Sequence, residues 1–213
     1  MTAPKTGQAT GSGSRIVLAT HNQGKVAELR RILGDLDVAG LDEFPGAPDV
    51  AETELTFEGN ALLKARAVAA FTGLPAVADD SGLCVDALNG MPGVLSARWS
   101  GRLGAATGDR DAANLRLVLD QIGDVPDEER GGAFVCAAVL VVPGGVEHCV
   151  EGRLRGTVVR EPRGTGGFGY DPVFVPDGES RTTAEMSPEE KDAISHRGRA
   201  FRALAALIPA ALA

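Results

Sequence analysis

Two adjacent aspartates, Asp79 and Asp80, follow an apolar run and precede Ser81-Gly82 in the stretch AVADDSGLCVD. Side chains alternate across a strand, so neighbouring carboxylates point to opposite faces: one can front a cleft while the other supports the structure behind it. A carboxylate in a cleft is a hard ligand for Mg2+ and a base for water. Glu52 in the segment AETEL is the candidate second ligand, with Glu54 as its alternative. Acidic residues before a helix also simply complement its dipole, and a lone Asp-Ser after a strand is a common turn or cap.

Thr20-His21-Asn22-Gln23-Gly24-Lys25 stands between the apolar run RIVLAT, residues 15–20, and a helical pattern carried by Val26, Leu29, Ile32 and Leu33. A Walker A loop needs Gly where Ala19 stands and Ser or Thr where Val26 stands, so this is not one. Its physics is related: hydroxyl and amide groups, a glycine, a lysine and free N–H groups at a helix start suit a phosphate. The competing reading is an ordinary turn with a solvated lysine.

Residues 164–172, GTGGFGYDP, contain a formal GxGxxG, but Pro162 before it and Asp171-Pro172 after it deny the strand and helix of a dinucleotide fingerprint. A turned loop presenting Phe168, Gly169, Tyr170 and Asp171 fits better, in a chain with only 4% aromatic residues. An aromatic ring there would stack on a base, or merely seal a core edge. Lys191 and Ser195 fall at i, i+4 in EEKDAISHRG, with His196 and Arg197 adjoining, which predicts one helix with hydrogen-bond donors grouped on it. A solvated helix face is the plain alternative.

The elements that must position these groups are legible. TFEGNALLKARAVAAF, capped by Thr56 and ending near Gly73, is a helix; PAVAD is a buried strand with Asp79 and Asp80 at its C-terminal end, where open α/β sheets collect ligands. Asp109 caps a helix bearing Leu115, Val118, Leu119 and Ile122. AFVCAAVLVV and VEHCVEGRLRGTVV form a long hairpin around Pro143-Gly-Gly. The last helix opens at Ser187-Pro-Glu-Glu190, a capping box.

The 213 residues, 44% hydrophobic, suffice for one α/β domain over residues 15–213 with two lobes and a cleft. Residues 1–14 read as a disordered tail. A net charge of −8 argues against binding a nucleic-acid polymer, and no stretch is long enough to span a membrane. Cys84, Cys136 and Cys149 form no CxxC pair, so they are read as buried thiols of a cytoplasmic protein.

In order, THNQGK, the acidic segment before TFEGNALLKA, ADDSG, GTGGFGYDP and EEKDAISHRG resemble the inosine triphosphate pyrophosphatase family, which hydrolyses non-canonical purine nucleoside triphosphates. The similarity runs from about residue 15 to the end of the last helix. It implies a central mixed sheet flanked by helices, a nucleotide in a cleft between two lobes, a Mg2+ requirement and a homodimer. It further implies that Asp80 is proton acceptor and metal ligand, with Glu52 as second ligand, and that residues 20–25 hold the triphosphate. Ser81 would contact substrate, and Phe168 through Asp171 with Lys191, His196 and Arg197 would form the nucleoside pocket. The alternatives are a non-catalytic nucleotide sensor and a pyrophosphatase for other modified nucleotides.

Overall fold

The computed structural model describes residues 15–34, 36–106 and 108–212, apart from the side chains of Gln23 and Leu103; the tail read as disordered, residues 1–14, lies outside it. Strand β1 is Ile16–Leu18, and Asn22 caps helix α1, Gln23–Leu33, by accepting the Lys25 N–H at 3.1 Å. β2, Val38–Ala39, leads through a loop to α2, Phe57–Thr72, which starts on the Thr56 hydroxyl and ends on Gly73 in the left-handed region. β3, Ala76–Val85, follows. Short helix α3, Gly101–Ala106, precedes α4, Arg110–Gln121, capped by Asp109. The hairpin is β4, Gly131–Val141, and β5, Glu147–Val158; β6, Phe174–Pro176, and helices α5, Pro188–Ile194, and α6, His196–Ala211, complete the chain.

The six strands form one sheet in the order β2-β1-β3-β4-β5-β6. β1 is parallel to β2 and β3, and the remaining pairs are antiparallel, so the sheet is mixed. The α1 crossover runs from β1 to β2 and the α2 crossover returns from β2 past β1 to β3, so they move across the sheet in opposite directions, and right-handed connections therefore place the two helices on opposite faces. The core follows that division. Val26, Leu29 and Leu33 of α1 share one cluster with Phe201, Leu204 and Ile208 of α6, whereas Ala61, Ala65, Val68 and Ala69 of α2 pack with Val17, Ala78 and Val139 on the other face. A third cluster, around Leu115, Val118, Phe134 and Phe174, fills the far end of the long strands under α4.

Three expectations change. Asp79 and Asp80 lie in mid-strand, because β3 runs ten residues and pairs with β4 from Ala76 to Val85; the apolar length of β4 carries the pairing through the polar Asp-Asp-Ser-Gly. The last helix is two. Ser195 is extended at φ −61° and ψ 153°, and its hydroxyl accepts the Gly198 N–H at 2.9 Å, so it caps α6 instead of sharing a face with Lys191. Cys136 is buried, but Cys149 is exposed on β5 and Cys84 is partly so.

Helix α6 meets β5 at Gly152 with no room for a side chain: a Cβ there would lie 2.1 Å from the His196 carbonyl oxygen and 2.7 Å from the Ala200 nitrogen. Gly152→Ala is therefore expected to push α6 off the sheet and to destabilise by about 1–3 kcal/mol, the range for overpacked interiors. Urea unfolding checks it; an unchanged midpoint would contradict this seating of α6.

Candidate active site

β1 stops at Leu18 while β3 continues to Val85, and the space beyond the end of β1 is a cavity of about 800 Å3 between α2 and α4 and the segments 164–171 and 191–197. That is the size of a small-molecule site. Part of the free edge of β3 is closed by residues 93–98, where Ser96 Oγ accepts the Leu83 N–H at 2.9 Å. Thr20, His21, Asn22, Lys25, Glu52, Asp80 and Ser81 line the cavity from the β1 side, and Phe168, Gly169, Tyr170, Asp171, Lys191, His196 and Arg197 from the other. Gly24 lies in the first turn of α1 and, having no side chain to reach it, does not line the cavity; the Gln23 side chain falls outside the described part.

The two aspartates face opposite ways. Asp79, on the α1/α6 face, is buried, and its Oδ2 gathers Lys25 Nζ at 3.0 Å, Arg197 Nε at 3.2 Å and Ser81 Oγ at 3.3 Å. Burial alone would raise its pKa, but Lys25, Arg197 and Lys64 outweigh it and hold the carboxyl far below the usual range. Arg197 also donates to Glu28 of α1 and, at 2.9 Å, to Ser81 Oγ. Its guanidinium is thereby spent inside the protein, tying α6 to α1 and β3. Arg197 lines the cavity as expected, with its guanidinium donors engaged by Asp79, Glu28 and Ser81.

Asp80 faces α2. Its Oδ2 accepts from Asn60 Nδ2 at 3.0 Å, its Oδ1 from the Ser81 N–H at 3.0 Å, and Lys64 Nζ stands 3.8 Å from Oδ1. Burial, with the charge of Glu52 adding to it, keeps the Asp80 carboxyl above its ordinary pKa despite Lys64 and Asn60. A carboxylate so raised is a better proton acceptor than one in water. Glu52 approaches from the loop before α2 and is held by Lys64 Nζ and Arg98 Nη1, each at 2.9 Å. Burial raises its pKa, but the pull of Lys64 and Arg98 prevails and keeps it below the usual value. Glu54, the alternative to Glu52, contributes its backbone N–H to Asn60 Oδ1 at 2.9 Å and does not line the cavity.

Across the cleft, the loop 164–171 is folded onto Asp171. Its Oδ2 accepts Lys191 Nζ at 2.6 Å and the Phe168 N–H at 2.8 Å, and its Oδ1 accepts Thr183 Oγ1 at 2.8 Å. Gly167, at φ +71°, lets the loop close, since a Cβ there would lie 2.1 Å from Asp171 Oδ2. With both oxygens engaged, Asp171 shapes the loop while lining the cavity. Tyr170 is buried, its hydroxyl donating to the Ser96 carbonyl at 2.9 Å, so it anchors the loop. Phe168 is 42% exposed and lies over Lys191 Nζ at 5.0 Å and Arg197 Cζ at 5.6 Å. Here is the ring available for stacking. His196 stacks on Phe134, centroids 4.9 Å apart, and its buried Nδ1 has no partner. Burial, reinforced by Arg197 and Lys191, pushes its pKa well below the ordinary value, so the imidazole is neutral.

Asn60, Lys64, Arg98, Glu28 and Phe134 escaped the sequence reading. For Asn60 and Lys64 a signal existed: they stand at i, i+4 beside Ala61, Ala65 and Val68, polar groups bordering the apolar stripe of α2. Arg98 and Phe134 reach the site only through tertiary folding, and nothing local marks them.

A model of the Ham1 family matches residues 16–207. A Streptomyces coelicolor protein named dITP/XTP pyrophosphatase is 59% identical over 199 residues, covering 92% of this chain and 97% of the relative. A Frankia alni protein of the same name is 60% identical over 195 residues, covering 91% and 96%. Among solved structures, a HAM1 protein from Coxiella burnetii superposes with TM-score 0.82 at 42% identity, covering 93% of this chain and all of that one. A nucleoside-triphosphatase, dITP/XTP pyrophosphatase, from Mycobacterium abscessus gives TM-score 0.72 at 56% identity, covering 92% and 99%.

Removing Asp79 or Arg197 leaves the buried cluster of Lys25, Glu28, Asp79 and Arg197 one charge out of balance, so Asp79→Ala and Arg197→Ala should each lose about 3–5 kcal/mol. The pH dependence has a definite sign. Because the folded pKa of Asp79 is depressed below the unfolded value of about 3.9, its contribution is whole above that pH and lost as the pH falls below it. Urea unfolding from neutral pH downward should show the parent losing stability in that window and Asp79→Asn losing less; equal losses would contradict the network.

Proposed function

The chain is a member of the Ham1 family, and from that membership and its cleft we propose that it hydrolyses non-canonical purine nucleoside triphosphates such as ITP, dITP and XTP to the nucleoside monophosphate and pyrophosphate. The observation that carries the reading is Asp80, a carboxylate with a raised pKa lining a nucleotide-sized cavity opposite a helix N-terminus. In this reading Asp80 takes the proton from water as the water oxygen attacks the α-phosphorus and the bond to the pyrophosphate oxygen breaks. The N-terminal turn of α1 and Lys25 hold the phosphates, supplying N–H donors, dipole and charge.

The required metal in this reading is Mg2+, and the donor set fits it. Asp80 and Glu52 bring carboxylates from separate segments to the two sides of one cation, Lys64 Nζ. Among the described residues no group of three or more His, Cys, Asp or Glu side chains is placed to hold a metal, so phosphate and water would complete the shell, as is usual for Mg2+. When bound, Mg2+ supplies charge neutralisation for the triphosphate. Asp80 and Glu52 would hold it.

The base lies against Phe168, whose exposed face accepts a purine. His196, neutral and with Nδ1 unpartnered, is the polar group left to meet the base edge, where a mismatched donor or acceptor costs about 1–3 kcal/mol. Ser81 stays near substrate while fixing Arg197. We place the enzyme in the cytoplasm, as one catalytic domain over residues 15–213 working as a homodimer on free nucleotides; its unpaired cysteines and its charge of −8 support that setting.

Pyrophosphate release from ITP with and without Mg2+ tests the activity directly. Asp80→Asn should bind nucleotide yet lose about 10²–10⁴ of turnover. The acid limb of kcat/KM in the parent should fall above the ordinary carboxylate value, because protonation of Asp80 removes the base. Retained turnover in Asp80→Asn would sink its role. For the base, His196→Ala should reduce kcat/KM for ITP more than for ATP, whereas Arg197→Ala should reduce both alike; the reverse pattern would make Arg197 the reader.

A further inference from the structure

Lys64 stands where a second cation would have to stand. Its ammonium, on a side chain only 16% exposed, is 2.9 Å from Glu52 Oε1 and 3.8 Å from Asp80 Oδ1. Every oxygen of the two carboxylates already has a donor or cation beside it. Arg98 Nη1 holds Glu52 Oε2 at 2.9 Å, Asn60 Nδ2 holds Asp80 Oδ2 at 3.0 Å, and the Ser81 N–H holds Asp80 Oδ1 at 3.0 Å. Two carboxylates face two cations, Lys64 and Arg98, and their formal charges balance. A bare divalent ion entering this half-buried cluster would add two positive charges with no anion to offset them and would crowd the Lys64 ammonium. A triphosphate changes both terms, since it carries the compensating charge and offers oxygens to which Lys64 can swing.

We propose that Lys64 is a stand-in cation: it keeps Glu52 and Asp80 together in the nucleotide-free protein, refuses a bare divalent metal, and yields its place when the metal arrives on a triphosphate. The proposal rests on the metal reading above and adds to it an order of binding and a residue that enforces it. Lys64 extends from the second turn of α2, one turn past Asn60, and the helix backbone does not have to move for the side chain to leave. Its four-carbon stem and rotatable ammonium suit exchange between partners better than a planar guanidinium would.

The test uses Mn2+ as the probe and reads free Mn2+ by its paramagnetic resonance signal, with no turnover involved. Lys64→Met, which keeps the stem and removes the charge, should bind Mn2+ without nucleotide at least about tenfold more tightly than the parent. Lys64→Arg should stay as weak as the parent. With the α,β-imido analogue of ITP, the parent should retain Mn2+ beyond what the analogue holds in solution, and Asp80→Asn should not. Tight Mn2+ binding by the nucleotide-free parent, or no gain in a folded Lys64→Met, would overturn the stand-in role. Should Lys64→Met fail to fold, Lys64→Gln, which also removes the charge, takes its place, and no gain in Mn2+ binding there overturns the stand-in role. Absence of Mn2+ binding even with the analogue would overturn the metal reading itself.

Discussion

The buried negative charge of Asp79 organises this molecule. A carboxylate sealed in the middle of a sheet cannot remain ionised without cations beside it. The fold supplies them from two helices distant in sequence, Lys25 on α1 and Arg197 on α6, with Ser81 from the same strand. The consequence is architectural. Lys25 draws the N-terminus of α1 down onto β3, and Arg197, also bound to Glu28, fixes the start of α6 against both. The half of the cleft formed by residues 20–25 and the half formed by residues 191–197 are thus registered against each other through one oxygen atom.

Asp80 inherits its position from that anchor. Because side chains alternate along β3, a buried Asp79 obliges its neighbour to face α2, where Asn60 and Lys64 meet it. The electrostatic contrast between the two follows from their surroundings. Asp79 has cations in direct contact and is held ionised, whereas Asp80 has a neutral amide, a more distant ammonium and the charge of Glu52 nearby, and it holds a proton more readily. Two identical side chains one residue apart thereby divide into a structural anion and a more basic carboxylate facing the cavity, which is how environment separates paired carboxylates.

Much of this was legible in the sequence, for identifiable reasons. The caps at Thr56, Asp109 and Ser187 marked helix starts because a side-chain acceptor there satisfies N–H groups the helix leaves open. The residues gathered in the cleft were found because five motifs occur in order, and no single one would have sufficed. What stayed hidden depends on distant partners. The length of β3 is set by β4, distant in the chain, so local polarity at Asp79-Asp80-Ser81 misled. The break at Ser195 looked like helix because Ser-His-Arg is compatible with either state, and only the hydroxyl bond to Gly198 decides it. The engagement of Asp171 and Arg197 is invisible in one dimension, since their partners lie on other elements.

The central claim is that the cleft directs water, through Asp80, to the phosphorus next to the nucleoside. Hydrolysis of ITP in heavy-oxygen water, with the products separated and weighed by mass spectrometry, tests it most directly. The account predicts that the heavy oxygen appears in inosine monophosphate and that pyrophosphate carries none. Label in the pyrophosphate, or release of single phosphates with inosine diphosphate left behind, would place the attack at another phosphorus and contradict it.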